Sequence, residues 1–355
     1  MWDASRPGDD SPPPAASPAH ARWRALLETA TLAPSPHNVQ PWRLRVRDAT
    51  CAELLIERAR TLPDEDVEGS FIVLTMGLFV ESLRIVAAHE GLGLEDALLL
   101  PFESFRADAL RRRTEALVPF AELRLRPPAD PGEPPPLALF HERRTSRLGF
   151  RDEPLAAGDE ARLAALAAAW GQHLEVVRDA ARIERLLRWN ADAVFEDLNH
   201  PPYRDELRGW MRYGERASAR HRDGLDARCM NQHPAELWLA FHASPMLRMP
   251  GLRAWFRRRY RRQIGTVRAL ALLSGPFWAP ADAYASGRFL IRFWLECTRL
   301  GLYLHPYGNL VTNRPTAARV ESEIGRGGIW LVFKLGHSAV PPRSRRRSVD
   351  QVLVP

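Results

Sequence analysis

The stretch TLAPSPHNVQPWRLRV, Thr31 to Val46, packs three prolines, Pro34, Pro36 and Pro41, among short polar residues, and an alternating segment follows at once. Proline fixes its own φ and biases the preceding residue toward an extended conformation. Ala33, Ser35 and Gln40 each precede a proline, so the loop is expected to be stiff and largely extended. Such a backbone cannot satisfy its own amides and carbonyls locally, and something else must. Ser35, His37, Asn38 and Gln40 add side chains that donate and accept, a composition suited to the polar edge of a flat heterocycle. The alternative is an ordinary helix-to-strand connection punctuated by proline. Trp42, Leu44 and Val46 then alternate with Arg43, Arg45 and Arg47, which predicts a half-buried strand.

Outward from this loop, Trp23, Leu26, Leu27 and Ala30 recur at helical spacing before it, and CAELLIERA after it reads as a second strand. A helix is expected around 67–90 and a strand at EALVPFAELRLR. After a breaker-rich stretch, RPPADPGEPPP, the style repeats: a helix near 159–170, a strand at HLEVVRD and a helix at 180–195. A long apolar helix at ADAYASGRFLIRFWLECTRLGL and a strand at GGIWLVFKLGH follow. Helices and strands mix without a regular βαβ beat, so the class is α+β, with one antiparallel or mixed sheet per part. The expected organisation is a disordered tail at 1–20, a first half at 21–126, a Pro-rich linker at 127–136 and a second half at 137–355. The second half carries an insertion at about 195–262.

Composition excludes several classes. The 355 residues include 3 cysteines, widely spaced, which suggests neither a disulfide framework nor a zinc site and fits a reducing, cytoplasmic setting. Met1 to His20 lacks the apolar core of a signal peptide. SFIVLTMGLFVESLRIVAA is interrupted by Glu81 and Arg84 and reads as a buried helix, so no membrane is expected. The net charge of +7 is almost all arginine, since Lys334 is the only lysine. No GxGxxG or P-loop opens a helix after a strand, no GxSxG elbow is present, and no histidine pair has helical metal-ligand spacing, so no metal site is expected. WFRRRYRRQIG interleaves aromatics with arginine as nucleic-acid-binding stretches do, but one short stripe on a helix face is more simply a solvated face.

The nine residues PSPHNVQPW resemble the PSxxNxQPW signature of the nitroreductase-like flavoproteins, whose members hold FMN at a dimer interface. The resemblance implies that Pro34, Ser35, Pro36, His37, Asn38 and Gln40 contact the isoalloxazine ring. Two further arginine-rich segments are similar to that family's phosphate-binding elements. ERRTSRLGF matches an RxSxxxF element through Arg144, Ser146 and Phe150, with Arg143 and Arg147 beside it. PPRSRRRSVDQVLV matches a C-terminal basic-Ser-Arg element through Arg343, Ser344 and Arg345. Gly308, in LGLYLHPYGNLV, stands where the family carries a glycine whose backbone approaches the flavin.

The order of these elements departs from ordinary nitroreductases, where the arginine element comes first. Here the Pro loop precedes it by about a hundred residues, an order that resembles the tandem, Acg-type branch, in which two nitroreductase-like halves are fused. That implies one composite FMN site per chain in a monomeric pseudo-dimer or a homodimer. The implied activity passes electrons from NADH or NADPH through FMN to a small organic acceptor, and no side-chain catalyst is named because the flavin carries the chemistry. In the tandem branch the insertion can cover the flavin, with Tyr203, Trp210, Met211, Tyr213, His221 and Arg228 as lid contacts. That leaves a flavin-storing or sensing protein without turnover as one alternative. A basic nucleic-acid or membrane-surface protein is the other, and neither nucleic acid nor membrane is the expected partner.

Overall fold

The computed structural model describes residues 18–128, 132–242, 249–265 and 267–354. The expected disordered tail therefore lies outside the described residues, except where helix α1 (Pro18–Ala30) begins. The Pro-rich linker and the insertion lie partly outside them.

The first half runs α1, β1 (Trp42–Val46), β2 (Cys51–Glu57), α2 (Ser70–His89), β3 (Gly93–Leu98), α3 (Ala107–Arg112) and β4 (Leu117–Arg126). The second opens with α4 (Ala138–Glu142), α5 (Ala157–Ala169) and β5 (His173–Val177). It then detours through α6 (Ala180–Leu198), α7 (Pro201–Gly209), β6 (Met211–Arg212), α8 (Glu215–His221), β7 (Leu225–Asp226), α9 (Pro234–His242) and α10 (Pro250–Ile264). It returns with β8 (Leu270–Ser274), α11 (Pro280–Arg299), β9 (Tyr303–Pro306), α12 (Asn309–Thr312), α13 (Arg314–Ile324) and β10 (Ile329–Gly336), and ends in α14 (Val349–Val352) and β11 (Leu353–Val354).

The α+β class is observed. Four strands of the first sheet lie in the order β1-β2-β4-β3, and the second sheet has the order β5-β8-β10-β9, so the two halves share one topology. All of these pairings are antiparallel. The detour α6–α10 occupies the position that, in the first half, is a tight turn between β1 and β2. The halves are not separate in space. β11 crosses back and pairs in parallel with β1, Leu44 opposite Leu353, so the first sheet is mixed and contains the end of the second half.

The two 20-residue helices α2 and α11 pack against each other in the main core. Gly77 stands seven residues into α2 (70 to 77) and Gly287 seven residues into α11 (280 to 287). A Cβ on Gly77 would overlap the Tyr284 carbonyl oxygen, and one on Gly287 the Leu74 carbonyl oxygen. Backbone-to-backbone approach this close is available only to glycine. Further along the contact, buried Glu81 accepts from Arg288 Nε at 3.1 Å and Arg292 Nε at 2.6 Å and pairs with Arg84. Burial pushes its carboxyl up, but Arg292, Arg84 and Arg288 outweigh that and hold it below its ordinary value. The Glu81 and Arg84 that interrupt the apolar run are thus an interhelix ion network. α2 alone among the described helices is long and apolar enough to cross a membrane, and it lies buried in this core.

Three of the five arginines in the WFRRRYRRQ stretch of α10 are paired. Arg257 pairs with Asp192, Arg259 with Glu236 and Arg261 with Glu184. The insertion closes around its own small core of Phe195, Leu198, Met211, Ala227, Leu237 and Phe241.

Candidate functional site

The Pro loop is stiff in the expected way at Ser35, whose φ and ψ are −145° and 153°, but not at Gln40. His37, Asn38 and Gln40 have φ of 46°, 57° and 51°, interrupted by Val39 at −67°, and positive φ is a conformation that non-glycine residues rarely adopt. Such strain persists only where surrounding bonds over-determine it. The Ser35 hydroxyl accepts from the Gln40 amide at 3.0 Å. Asn38 Nδ2 donates to the carbonyls of Gly224 at 3.3 Å and Arg345 at 3.0 Å, while its Oδ1 accepts from Arg346 at 2.8 Å. Gln40, fully buried, donates to the Asn38 and Arg222 carbonyls and accepts from the Arg347 amide at 2.8 Å. Two of the four polar side chains, Asn38 and Gln40, therefore staple the loop to residues 222–224 and 345–347, and Ser35 ties the loop to itself. The fourth, His37, pairs through Nε2 with Glu65. Burial opposes its imidazolium, but Glu65, with Glu206 beyond it, prevails and raises the pKa.

These staples bring the distant elements to one cavity of about 250 Å3. Its wall includes Pro34, Ser35, Pro36, His37 and Asn38 from the loop, Arg143, Arg144 and Arg147 from the arginine element, Gly308, and Arg343 from the tail. Gln40, Ser146 and Arg345 stand off it. Ser146 is fully buried with its hydroxyl 2.8 Å from that of Ser338, and Arg345 turns outward to Glu215. Arg346 takes the place expected of Arg345. Ser344 of the tail element is on the wall, together with Phe140, Trp294 and the insertion's Gly224, Leu225, Asp226 and Cys229, which sequence reasoning did not assign.

The electrostatics are lopsided. Arg143 is 6% exposed, donates to the Leu32 carbonyl at 3.2 Å and lies 4.8 Å over the Trp294 ring. Burial, then Arg346 and Arg343, lower its pKa to about 9. Burial, then Arg343, lowers that of Arg346 to about 10. Among the described residues none of Arg143, Arg144, Arg343 or Arg346 has a carboxylate partner, although the neighbouring Arg345 and Arg347 pair with Glu215 and Glu57. The Nε atoms of Arg143, Arg144 and Arg346 are buried without a hydrogen-bond partner. Burying unpaired guanidinium is costly, and this cluster is built to meet an anion.

The wall also carries the carboxylates of Glu65 and Asp66, and Glu206 stands off it. Asp66 accepts from the amides of Phe71 at 3.1 Å and Ile72 at 2.7 Å at the start of α2, and burial raises its pKa to about 6. Glu206, on α7, accepts from the Asp64 amide at 2.7 Å and the Glu65 amide at 3.2 Å, and burial raises its pKa to about 7. A carboxyl whose folded pKa exceeds its unfolded value of 4.5 stabilises the fold below that value and loses this contribution as pH rises through about 7. Melting temperature should therefore fall between about pH 4.5 and 7 more steeply in the wild type than in Glu206→Gln, as followed by circular dichroism. Parallel curves would remove Glu206 from this role.

No family model matches the chain. A Mycobacterium tuberculosis protein, found in two strains and named a candidate NAD(P)H nitroreductase, is 30% identical over 215 residues, 60% of this chain and 56% of its own length. PigM of a Serratia species, also named as an NAD(P)H nitroreductase, is 36% identical over 70 residues, 19% of this chain and 20% of its own. The chain thus spans about half the length of the Mycobacterium relative, and these names support the nitroreductase resemblance. Among solved structures, the FMN-dependent nitroreductase NfnB of Mycobacterium smegmatis in complex with NADPH has 18% identity and a TM-score of 0.36, over 61% of this chain and 91% of that one. A structure named as a nitroreductase of Anabaena variabilis has 10% identity and a TM-score of 0.49, over 93% of this chain and 90% of that one.

Proposed function

We propose that the chain is an FMN-binding oxidoreductase of the nitroreductase type, built from two fused halves that share one flavin site. The observation that carries this reading is the group of guanidiniums without carboxylates, Arg143, Arg144 and Arg346 with buried Nε atoms and the exposed Arg343, converging with the Pro loop on one cavity. A flavin phosphate is a dianion, and charge-assisted bonds from planar guanidinium forks suit it. Arg143, Arg343 and Arg346, with Arg144 beside them, would hold it. The donor set fits the group, because the orphaned Nε atoms of Arg143, Arg144 and Arg346 are donors in need of an acceptor.

The apolar remainder of the wall, with Leu32, Leu62, Phe71, Leu74, Leu78 and Leu290, suits a flat ring system. No atom of the protein would obstruct a Cβ on Gly308, so its bare backbone leaves open space on the wall where a ring can approach. When bound, FMN supplies two-electron chemistry, accepting a hydride from NADH or NADPH and passing electrons to a small organic acceptor. The chain's own part is to neutralise the phosphate, fix the ring edge with a loop that cannot relax, and exclude water. The shared strand order of the two sheets supports the fused-halves reading, with one site per chain.

The test separates phosphate from ring. FMN should bind one per chain and riboflavin at least about a hundredfold more weakly, since two or more charge-assisted bonds are lost. Equal affinities, or binding of neither, would overturn the assignment. A second reading, a flavin-storing protein without turnover, is favoured by how tightly the insertion is bolted over the cavity. Asn38 and Gln40 donate to Gly224 and Arg222, and Arg60 pairs with Asp223 at 2.8 Å. Anaerobic bleaching of the bound flavin by NADPH within seconds supports the oxidoreductase, whereas a flavin that resists reduction supports storage.

A further inference from the structure

A second cavity, of about 230 Å3, lies under the insertion and shares His37, Glu65, Arg147, Pro306 and Gly308 with the first. Its charged side chains are unevenly matched. Glu65 has His37, Glu236 has Arg259 at 3.0 Å, and Asp197 accepts from Asn309 at 2.7 Å and Asn313 at 3.2 Å. Of the cations among them Arg147 alone has no counter-charge among the described residues, and its side chain donates to the Cys229 carbonyl at 3.3 Å; Asp197 is held by the two neutral amides. Burial lowers the Arg147 pKa, with Cys229, Tyr260 and Tyr307 opposing, which places the two tyrosines within its field. Arg147 lines both cavities, beside Arg143 and Arg144 in the first and with Tyr260 and Tyr307 in the second.

Around Arg147 the chamber has polar atoms in want of a partner. The Tyr307 hydroxyl, His305 Nδ1 and Asn190 Oδ1 are all buried and unbonded, although Asn190 Nδ2 donates to the Tyr260 hydroxyl at 2.8 Å. His305 adds no second cation, because burial, then Arg147 and Lys334, hold it neutral, well below its ordinary value. The far end is apolar, with Phe195, Leu198, Leu237 and Phe241.

We propose that this second chamber binds a small apolar monocarboxylate. Its carboxylate meets Arg147 and the Tyr307 hydroxyl, and its aromatic or branched body lies among Phe195, Leu198, Leu237 and Phe241. One unpaired cation matches one negative charge. A dianion would face Glu65, Asp197 and Glu236 without a second cation free to neutralise it. A cation would find Glu65 and Glu236 already paired with His37 and Arg259, and both oxygens of Asp197 already held by Asn309 and Asn313. This assignment goes beyond the flavin reading: Arg147 lines both cavities but is not among the arginines assigned to the phosphate.

The experiment is calorimetric titration of the protein as purified with benzoate, and with benzamide as its uncharged counterpart. Benzoate should bind saturably and benzamide at least about tenfold more weakly, the loss expected for one charge-assisted bond. Arg147→Gln should cost benzoate about tenfold or more and leave benzamide unchanged, while Arg143→Gln should leave both unchanged. Ala240→Phe, which fills the apolar end, should abolish both. It also serves as the readout if Arg147→Gln fails to fold. No benzoate binding, binding that survives Ala240→Phe, or binding lost with Arg143 would each overturn the proposal. FMN affinity measured on the same variants keeps the two assignments separate, because either can fail alone.

Discussion

Arg143→Gln should weaken FMN binding at least about a hundredfold and, in flavin-free protein, raise the melting temperature. Both effects follow from one feature, a guanidinium that is buried, unpaired and repelled by Arg346 and Arg343. In the empty site its charge is desolvated without compensation, and removing such a charge relieves a penalty. Glutamine keeps a donor for the Leu32 carbonyl and most of the packing on Trp294. The expected gain is at least about 1 °C, since roughly 1 kcal/mol moves the transition of a large domain by a few degrees. With FMN present the sign reverses, because the dianion then lacks its most buried partner and two charge-assisted bonds of about 1.5–3 kcal/mol each are lost. Differential scanning fluorimetry with and without FMN reads both signs in one experiment. A variant that melts lower when flavin-free and keeps its FMN affinity would mean that Arg143 is an ordinary structural arginine.

Much of this site was legible because its residue types are chemically conspicuous. Prolines around Ser35 and Asn38, and arginines clustered at 143–147 and 343–347, stand out in any sequence. What could not be read was which of them face inward. Arg345 and Arg346 differ in role because the tail at 337–348 is neither helix nor strand, and an irregular segment has no periodicity to assign a face. Gln40 looked like a ring contact and is a staple, since its partners at 222 and 347 are remote in the chain. Ser146 was hidden by the same distance, its partner being Ser338.

The fold shows the same division. β1, β2, β4, β5 and β10 carry alternation or apolar runs and were expected. β3 (GLEDAL) was not, because it is an exposed edge strand with little apolar content. β8 (LALLS) is five buried residues, too short for its period to be told from a helix. The return of β11 to the first sheet is a long-range pairing of two residues that no local pattern announces.

Gly287→Ala sets two well-known effects against each other. In an isolated helix the change would stabilise by about 1 kcal/mol, since alanine has the higher propensity. In α11 the new methyl would overlap the Leu74 carbonyl of α2, and backbone cannot swing aside as a side chain can. Overpacking in a well-filled core costs about 1–3 kcal/mol, and more where backbone must shift. Packing therefore wins, and a net loss of about 2 kcal/mol or more is expected in the urea midpoint. Gly158→Ala is the control, because nothing lies within 4 Å of its Cβ position in α5, and its stability should hold or rise slightly. Gly77→Ala should resemble Gly287→Ala, and the double variant should lose less than the sum, because helices already pushed apart accommodate the second methyl more easily. The consequence reaches the cavity, since α2 supplies Phe71, Leu74 and Leu78 to its wall and α11 supplies Leu290 and Trp294. Separating the helices moves Trp294 away from Arg143, so Gly287→Ala should also weaken FMN binding, with the arginines untouched. A Gly287→Ala protein as stable as the wild type would mean that the two helices do not cross at these glycines.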